Sequence, residues 1–206
     1  MHFYEPDQGH RLPHDPIKAI VAPRPIGWIS TRHPDGSVNL APYSFFNMFS
    51  SNPVLVWFSS ESEKDSVVFA RESGEFCVNL VSFDLMEKMV ASSVDAPRGV
   101  SEFGYAGLTE APARLVAAPM VAEAHAVLEC KVTEIRQPQG LGGRPSRVHV
   151  VTGEVVGVHI DEAMLVEGLF DARKAGNVAR LGYFDYSAIT ELHQRHRPRW
   201  TERKDD

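Results

Sequence analysis

An apolar stretch broken by two prolines, "IKAIVAPRPIGWIST" at residues 17–31, sets the tightest limit on how this chain can fold. Pro23 and Pro25 fix φ and remove two backbone donors, so the segment is predicted to be a bent or edge strand and not a helix. It runs into "GWISTRHPDGSVNLAPYSFF", which reads as a β-hairpin. Pro34, Asp35 and Gly36 supply the turn, with Gly36 free to take a positive φ. Pro42 removes another ladder donor, which favours the edge of a sheet.

The following segments keep strand character with short helices between them. "PVLVWFSS" is a continuous apolar run of β-formers, consistent with a strand buried on both faces. "KDSVVFARESGEF" carries Val67, Val68 and Arg71 within about one helical turn, with Gly74 placed to end the helix. "EFCVNLVS" alternates Phe76, Val78 and Leu80 on one face. Asp84 is expected to cap a short helix whose inner side is Leu85, Met86, Met89 and Val90. "APRGVSEFGYAGLTEAPA" is irregular and glycine-rich.

"AHAVLECKVTEIRQ" and "SRVHVVTGEVVGVHI" are two long strand candidates joined by "PQGLGGRPS". Ala126, Leu128, Cys130, Val132 and Ile135 are predicted to share one buried face, with a slip near the end. "GLGG" opens no helix, so a hairpin loop is the reading there. About six strands without βαβ alternation point to a barrel or sandwich. Residues 1–206 form a single domain, with 1–16 as an N-terminal arm and 187–206 as a charged tail.

Acidic residues outnumber basic ones, 27 to 21, giving a net charge of −6. Nucleic-acid binding as the main role is therefore not expected. Cys77 and Cys130 sit apart in apolar runs, so they read as buried core thiols without a disulfide framework. A cytoplasmic protein is the expectation. "MHFYEPDQGHRLPHDP" has no apolar signal core, and no apolar run approaches the roughly 20 residues of a membrane span. Nine histidines scatter along the chain, and the H-x-x-H of His193 and His196 lies in the charged tail, so no metal site is expected. No G-x-S-x-G elbow is present, and Ser30 and Ser44 have no evident histidine partner.

Two stretches carry chemistry. In "LAPYSFFN", strand alternation puts Tyr43 and Phe45 on one face and Ser44 and Phe46 on the other. With Pro42 and Asn47, this is either a core aromatic cluster or an edge able to hydrogen-bond a flat heteroaromatic ring. In "SSESEKDS", Asp65 reads as a helix cap. Ser59, Ser60, Ser62 and Ser66 with Lys64 at a helix N-terminus also suit a phosphate monoester, with Glu61 and Glu63 turned outward.

The order of "RPIGWIST", "DGSVNLAPYSFFN", "PVLVWFSS", "KDS", "GEFCVNL", "EFGYAGLT", "LEC" and "ARLGYFDY" resembles the flavin reductase-like proteins of the FMN-binding split-barrel superfamily. The resemblance implies a mainly β Greek-key split barrel with peripheral short helices, assembled as a homodimer with FMN near the subunit interface. It implies that Pro42, Tyr43 and Ser44 meet the flavin ring, with Asn47 near the ribityl chain and Trp28, Ser30 and Thr31 on the neighbouring arm. Ser59, Ser60, Lys64 and Ser66 would hold the phosphate, Asp65 would cap the helix, and Arg180 and Tyr183 would close the site. The implied chemistry is hydride transfer from NADH or NADPH to flavin, with a monooxygenase or other acceptor beyond it. No side chain is assigned as acid or base.

Overall fold

A computed structural model describes residues 1–200; the last six residues of the predicted tail lie outside the described residues. The chain opens with a 3-10 turn at Pro6–Gln8 and one helical turn, α1 (Ile17–Ile20). β1 (Arg24–Pro25), β2 (Gly27–Arg32) and β3 (Val38–Tyr43) follow, then the hairpin β4 (Phe46–Ser51) and β5 (Val54–Ser60). α2 (Asp65–Ser73) leads into β6 (Glu75–Asn79), and α3 (Met86–Ala91) and α4 (Glu102–Tyr105) flank a loop. β7 (Glu110–Ala111) pairs with β8 (Met120–Val121), and the long hairpin is β9 (Ala126–Arg136) with β10 (His149–Ile160). β11 (Leu165–Val166) and β12 (Leu169–Phe170) form a ribbon, and β13 (Val178–Arg180) pairs with both β1 and β14 (Tyr186–Ala188).

The main sheet has seven antiparallel strands in the order β3-β2-β6-β9-β10-β5-β4, curled into a half-barrel. The fold is therefore mainly β with short peripheral helices, as the sequence predicts. The hairpin at Gly36 forms, with that glycine at φ 96°. Pro42 sits on β3, which has a neighbour on one side only. The slip expected in the long hairpin appears as register shifts between Thr152 and Gly153 and between Val155 and Gly157. A Cβ on Gly153 would lie 2.5 Å from the Phe76 ring, so the first shift occurs where only glycine fits under that aromatic.

Strand alternation on β2 feeds two cores. Trp28 points into a cluster with Leu40, Leu85, Met89 and Phe103, beneath α3 and α4. Ile29 points the other way, into a cluster with Tyr43, Phe58, Val67, Ala70 and Phe76, closed by α2. Phe58 stacks edge-on against Phe76 with centroids 5.4 Å apart, within the favoured range for aromatic pairs. Cys77 and Cys130 are buried and unbridged, and burial pushes both thiols up.

Several local expectations are corrected. Residues 17–20 form a helical turn before the prolines take over, because Pro16 provides its start and the constraint of Pro23 begins only later. Asp84 is not a cap: it sits inside a 3-10 turn, Phe83–Leu85, that precedes α3 without a side-chain cap. Val90 faces outward. β6 keeps its alternation, with Phe76 and Val78 in one cluster and Cys77 in another so that both faces are buried, but the strand ends at Asn79, before Leu80. On β9, Val127 is more buried than Leu128, because the outer face is covered by the segment that follows β7.

That covering segment is held by one buried carboxylate. Glu129, 1% exposed, accepts from the amides of Arg114 (2.9 Å), Leu115 (2.6 Å) and Val116 (3.0 Å), and from His159. Burial alone would raise its pKa, but hydrogen bonds from His159 and those amides outweigh it and leave it lowered. Asp161 is lowered by the Ala163 amide and His125, and Asp35 falls to about 2 through the Ser37 amide and His33. Carboxylates lowered on folding add stability above their unfolded pKa of about 4, and it is lost as pH falls through the folded values. The melting temperature should therefore drop as pH falls below about 5. Glu129→Gln should cost about 1–3 kcal/mol at neutral pH, roughly 2–12 °C in melting temperature, and flatten that acid limb. An unchanged limb in calorimetry would remove Glu129 from this account.

Candidate functional site

A cleft of about 480 Å³ opens where the β3 edge, the end of β5, the start of α2 and the loop after α3 meet. Its wall includes Ala41, Pro42, Tyr43, Ser44 and Phe45. The chain leaves the β3 ladder at Ser44 before entering β4, so Ser44 and Phe45 do not continue the strand alternation expected of them. The Ser59 amide donates to the Phe45 carbonyl (2.9 Å) and pins this bend to β5.

At the other end lie Ser59, Ser60, Lys64, Asp65 and Ser66, with Arg98 from the loop after α3. The Val67 and Val68 amides both return to the Lys64 carbonyl, which leaves the Asp65 and Ser66 amides at the mouth of the helix. Asp65 is not the cap: the N-cap position is Lys64, and no side chain caps the helix. The Asp65 carboxylate instead accepts from Arg98 Nε (2.9 Å), an opposite charge that outcompetes its own backbone. Lys64 lies 3.6 Å from Asp95 in an exposed pair. Glu63 turns away to Arg71, as expected, whereas Glu61 stays on the rim, 3.6 Å from Lys18.

Beneath the cleft, Glu102 is 6% exposed and organises the polar floor. Its carboxylate accepts from the Leu40 amide (2.8 Å) and from Asn39 Nδ2 (3.0 and 3.2 Å). Burial pushes the carboxyl up, against these donors, which pull it down. Because Asn39 gives its amide hydrogens to Glu102, its Oδ1 is left to accept from Ser66 Oγ (2.5 Å). The Ser66 hydroxyl is thus spent on Asn39, and what it offers the cleft is lone pairs and its amide. The buried Tyr43 hydroxyl lies among the Ser60 and Ser66 hydroxyls, and burial raises its pKa. Neither Tyr43 OH nor Ser60 Oγ completes a well-formed hydrogen bond, so these are the floor's unspent donors.

A second, narrower cleft of about 280 Å³ continues beyond Pro42 and shares Lys18, Pro42, Ser44 and Ser93 with the first. Arg180 and Tyr183 line it from this same chain. Tyr183 holds φ at 55°, and its carbonyl accepts from Arg180. Behind them, Gly182 packs on α1: a Cβ there would lie 2.3 Å from Ala19 Cβ.

Of the residues singled out in the sequence, Pro42, Tyr43, Ser44, Ser59, Ser60, Lys64, Asp65 and Ser66 meet in the first cleft. Arg180 and Tyr183 line the second. Trp28, Ser30 and Thr31 line neither, because β2 is covered on both faces. Trp28 Nε1 donates to Ser92 Oγ (2.9 Å), which does line the first cleft, so Trp28 supports the wall from behind. Ser30 donates to the Pro119 carbonyl (2.5 Å) and accepts from Asn79 (3.0 Å), and Thr31 is fully buried. Asn47 points outward on β4, its Oδ1 accepting from the Met48 amide. Lys18, Asn39, Arg98 and Glu102 carry no local motif, and tertiary packing alone brings them in.

A more voluminous hollow, about 800 Å³, lies elsewhere, at the Gly157–Ile160 end of β10, whereas Ser59 and Ser60 pair with the start of that strand. Several of its charged groups are already paired: Glu129 with three amides and His159, Glu123 with the Thr109 amide (3.1 Å), and His125 with Asp161 (3.1 Å). Among the described residues no cluster of metal-ligating side chains is present, and no helix is long and apolar enough to cross a membrane.

Residues 21–179 match the family described as the flavin reductase like domain, and the chain belongs to that family. It is 34% identical over 183 residues to an uncharacterised protein of Halalkalibacterium halodurans, covering 86% of this chain and 87% of the relative. Nitrilotriacetate monooxygenase component B from Bacillus cereus superposes with a TM-score of 0.84 at 26% identity, over 94% of this chain and 98% of that one. A putative flavin reductase with a split barrel domain from Shewanella frigidimarina superposes with a TM-score of 0.79 at 23% identity, over 88% and 90% of the two chains, and shares the fold.

If α1 is fixed against the second cleft as the Gly182 contact implies, Gly182→Ala should cost about 1–3 kcal/mol in urea unfolding. A cost under about 0.5 kcal/mol would show that α1 moves aside freely.

Proposed function

We propose that the first cleft binds FMN and that the protein is a flavin-dependent oxidoreductase fed by NADH or NADPH. The observation that carries this reading is one continuous cleft that joins Ala41, Pro42 and Phe45 to the serines, Lys64 and Arg98 at the start of α2, where Asp65 and Asp95 are already paired with those cations. Pro42, Phe45 and Ala41 suit the faces and edge of a flat ring, and the backbone around Tyr43 and Ser44 suits its polar rim. The Asp65 and Ser66 amides, Ser59, Ser60, Lys64 and Arg98 suit a phosphate dianion. Tyr43 OH and Ser60 Oγ, buried beside each other and without a well-formed hydrogen bond, add polar groups to the floor of that site.

When bound, FMN supplies the capacity to take up a hydride and hand electrons on. The chain's part is positional. Pro42 and Phe45 wall the ring site, the β5–α2 turn holds the charge, and the Ser92–Trp28 hydrogen bond fixes the opposite wall. The likeness to a monooxygenase component B supports a role in delivering reduced flavin to a partner oxygenase or another small acceptor. We further infer a homodimer in a reducing cytoplasm. Met48 and Phe49, 56% and 55% exposed on the edge strand β4, support the dimer, and two unbridged cysteines support the compartment.

Purified protein should turn yellow with FMN, and anaerobic NADH or NADPH should bleach it. Bleaching by a reduced protein donor but by neither nicotinamide would make it an FMN electron carrier instead. Lys64→Ala should weaken FMN binding by about 1.5–3 kcal/mol, roughly ten- to hundredfold in Kd by fluorescence titration. Unchanged affinity would take Lys64 out of the cradle.

A further inference from the structure

The second cleft holds a charge imbalance that FMN binding in the first does not use. Lys18, Arg24 and Arg180 line it, and no carboxylate does. Arg24 is 7% exposed. Its terminal nitrogens donate to the carbonyls of Lys18, Val21 (2.5 Å) and Leu181 (2.8 Å), while its Nε is buried with no partner. Carbonyl dipoles satisfy donors without cancelling a formal charge, and buried charges are ordinarily paired. Arg180 adds a second guanidinium, stacked 4.5 Å over the Tyr186 ring and bonded to that residue's hydroxyl and to the Tyr183 carbonyl. The Lys18–Glu61 pair is exposed on both sides and contributes little neutralisation. Ile26, Pro42 and Met89 give the cleft its apolar lining.

We propose that this cleft is a subsite for a small carboxylate carried on an apolar, single-ring-sized body. The carboxylate lies at Arg180, beside the uncancelled charge of Arg24, and the body lies against Ile26, Pro42 and Met89. A volume of about 280 Å³ suits one ring and not a dinucleotide. Pro42 and Ser44 belong to both clefts, so such a ligand lies beside whatever occupies the first. Its role as the acceptor or donor substrate rests on the flavin reading; its binding does not.

Calorimetric titration of benzoate, benzamide and inorganic phosphate into the FMN-saturated protein, and into the same protein without FMN, tests this. Benzoate should bind at least about tenfold more tightly than benzamide, the scale of a charge-assisted hydrogen bond. Arg180→Gln should bring that ratio close to one, and Lys18→Gln, at an exposed side chain, should narrow it in the same direction. A merely structural role for these cations would not move the ratio. Equal binding of benzoate and benzamide, a ratio unchanged in both variants, displacement of benzoate by equimolar phosphate, or loss of benzoate binding on FMN saturation would each overturn the proposal. Charge discrimination without FMN binding would sink the flavin reading and leave the subsite standing. FMN binding without discrimination would do the reverse.

Discussion

The buried contact from Glu102 through Asn39 to Ser66 joins three separate elements: α4, the β3 edge and the first turn of α2. Each is held in the one orientation that leaves a cleft between them. A carboxylate this buried is expensive unless its oxygens are filled, and here an amide and a side-chain carboxamide fill them. The direction of every hydrogen in the chain follows. The ionised Glu102 carboxylate only accepts, so Asn39 donates to it and Ser66 then donates to Asn39. The polarity of the cleft floor is thus set by one of its own buried members, Glu102.

The two-sided burial of β2 has a comparable reach. Trp28 and Ile29, neighbours in sequence, anchor different clusters, so the strand cannot shift register without emptying both. This is also why Trp28, Ser30 and Thr31 line neither cleft. Trp28 and Ser30 spend their polar groups on the fold, and the buried Ser92 links Trp28 to the wall of the first cleft.

Legibility in the sequence tracked the range of the interaction. The hairpin at Gly36 and the helix stop at Gly74, with φ of 96° and 74°, were readable because turn chemistry is local. The β3 edge, and the gathering of Ser59, Ser60, Lys64 and Ser66 around the start of α2, were readable for the same reason. Asp65 misled because a cap and a first-turn ion pair use the same residue type, and only Arg98, 33 residues away, decides between them. Arg24 was hidden more deeply: its bond to Leu181 spans 157 residues, and an arginine between two prolines carries no local sign of being buried. The interior, not the pattern, selects such residues.

Pro42 has a consequence beyond the cleft. It lies on one of the two strands that end the main sheet, where exposed backbone groups would ordinarily template another strand. A proline on an edge turns its nitrogen toward the open side, where it offers no hydrogen to an incoming chain. The residue that walls the candidate ring site therefore also keeps that margin of the half-barrel from zipping onto a neighbour's. A more ordinary β-former at position 42 would risk solubility before it risked ligand binding.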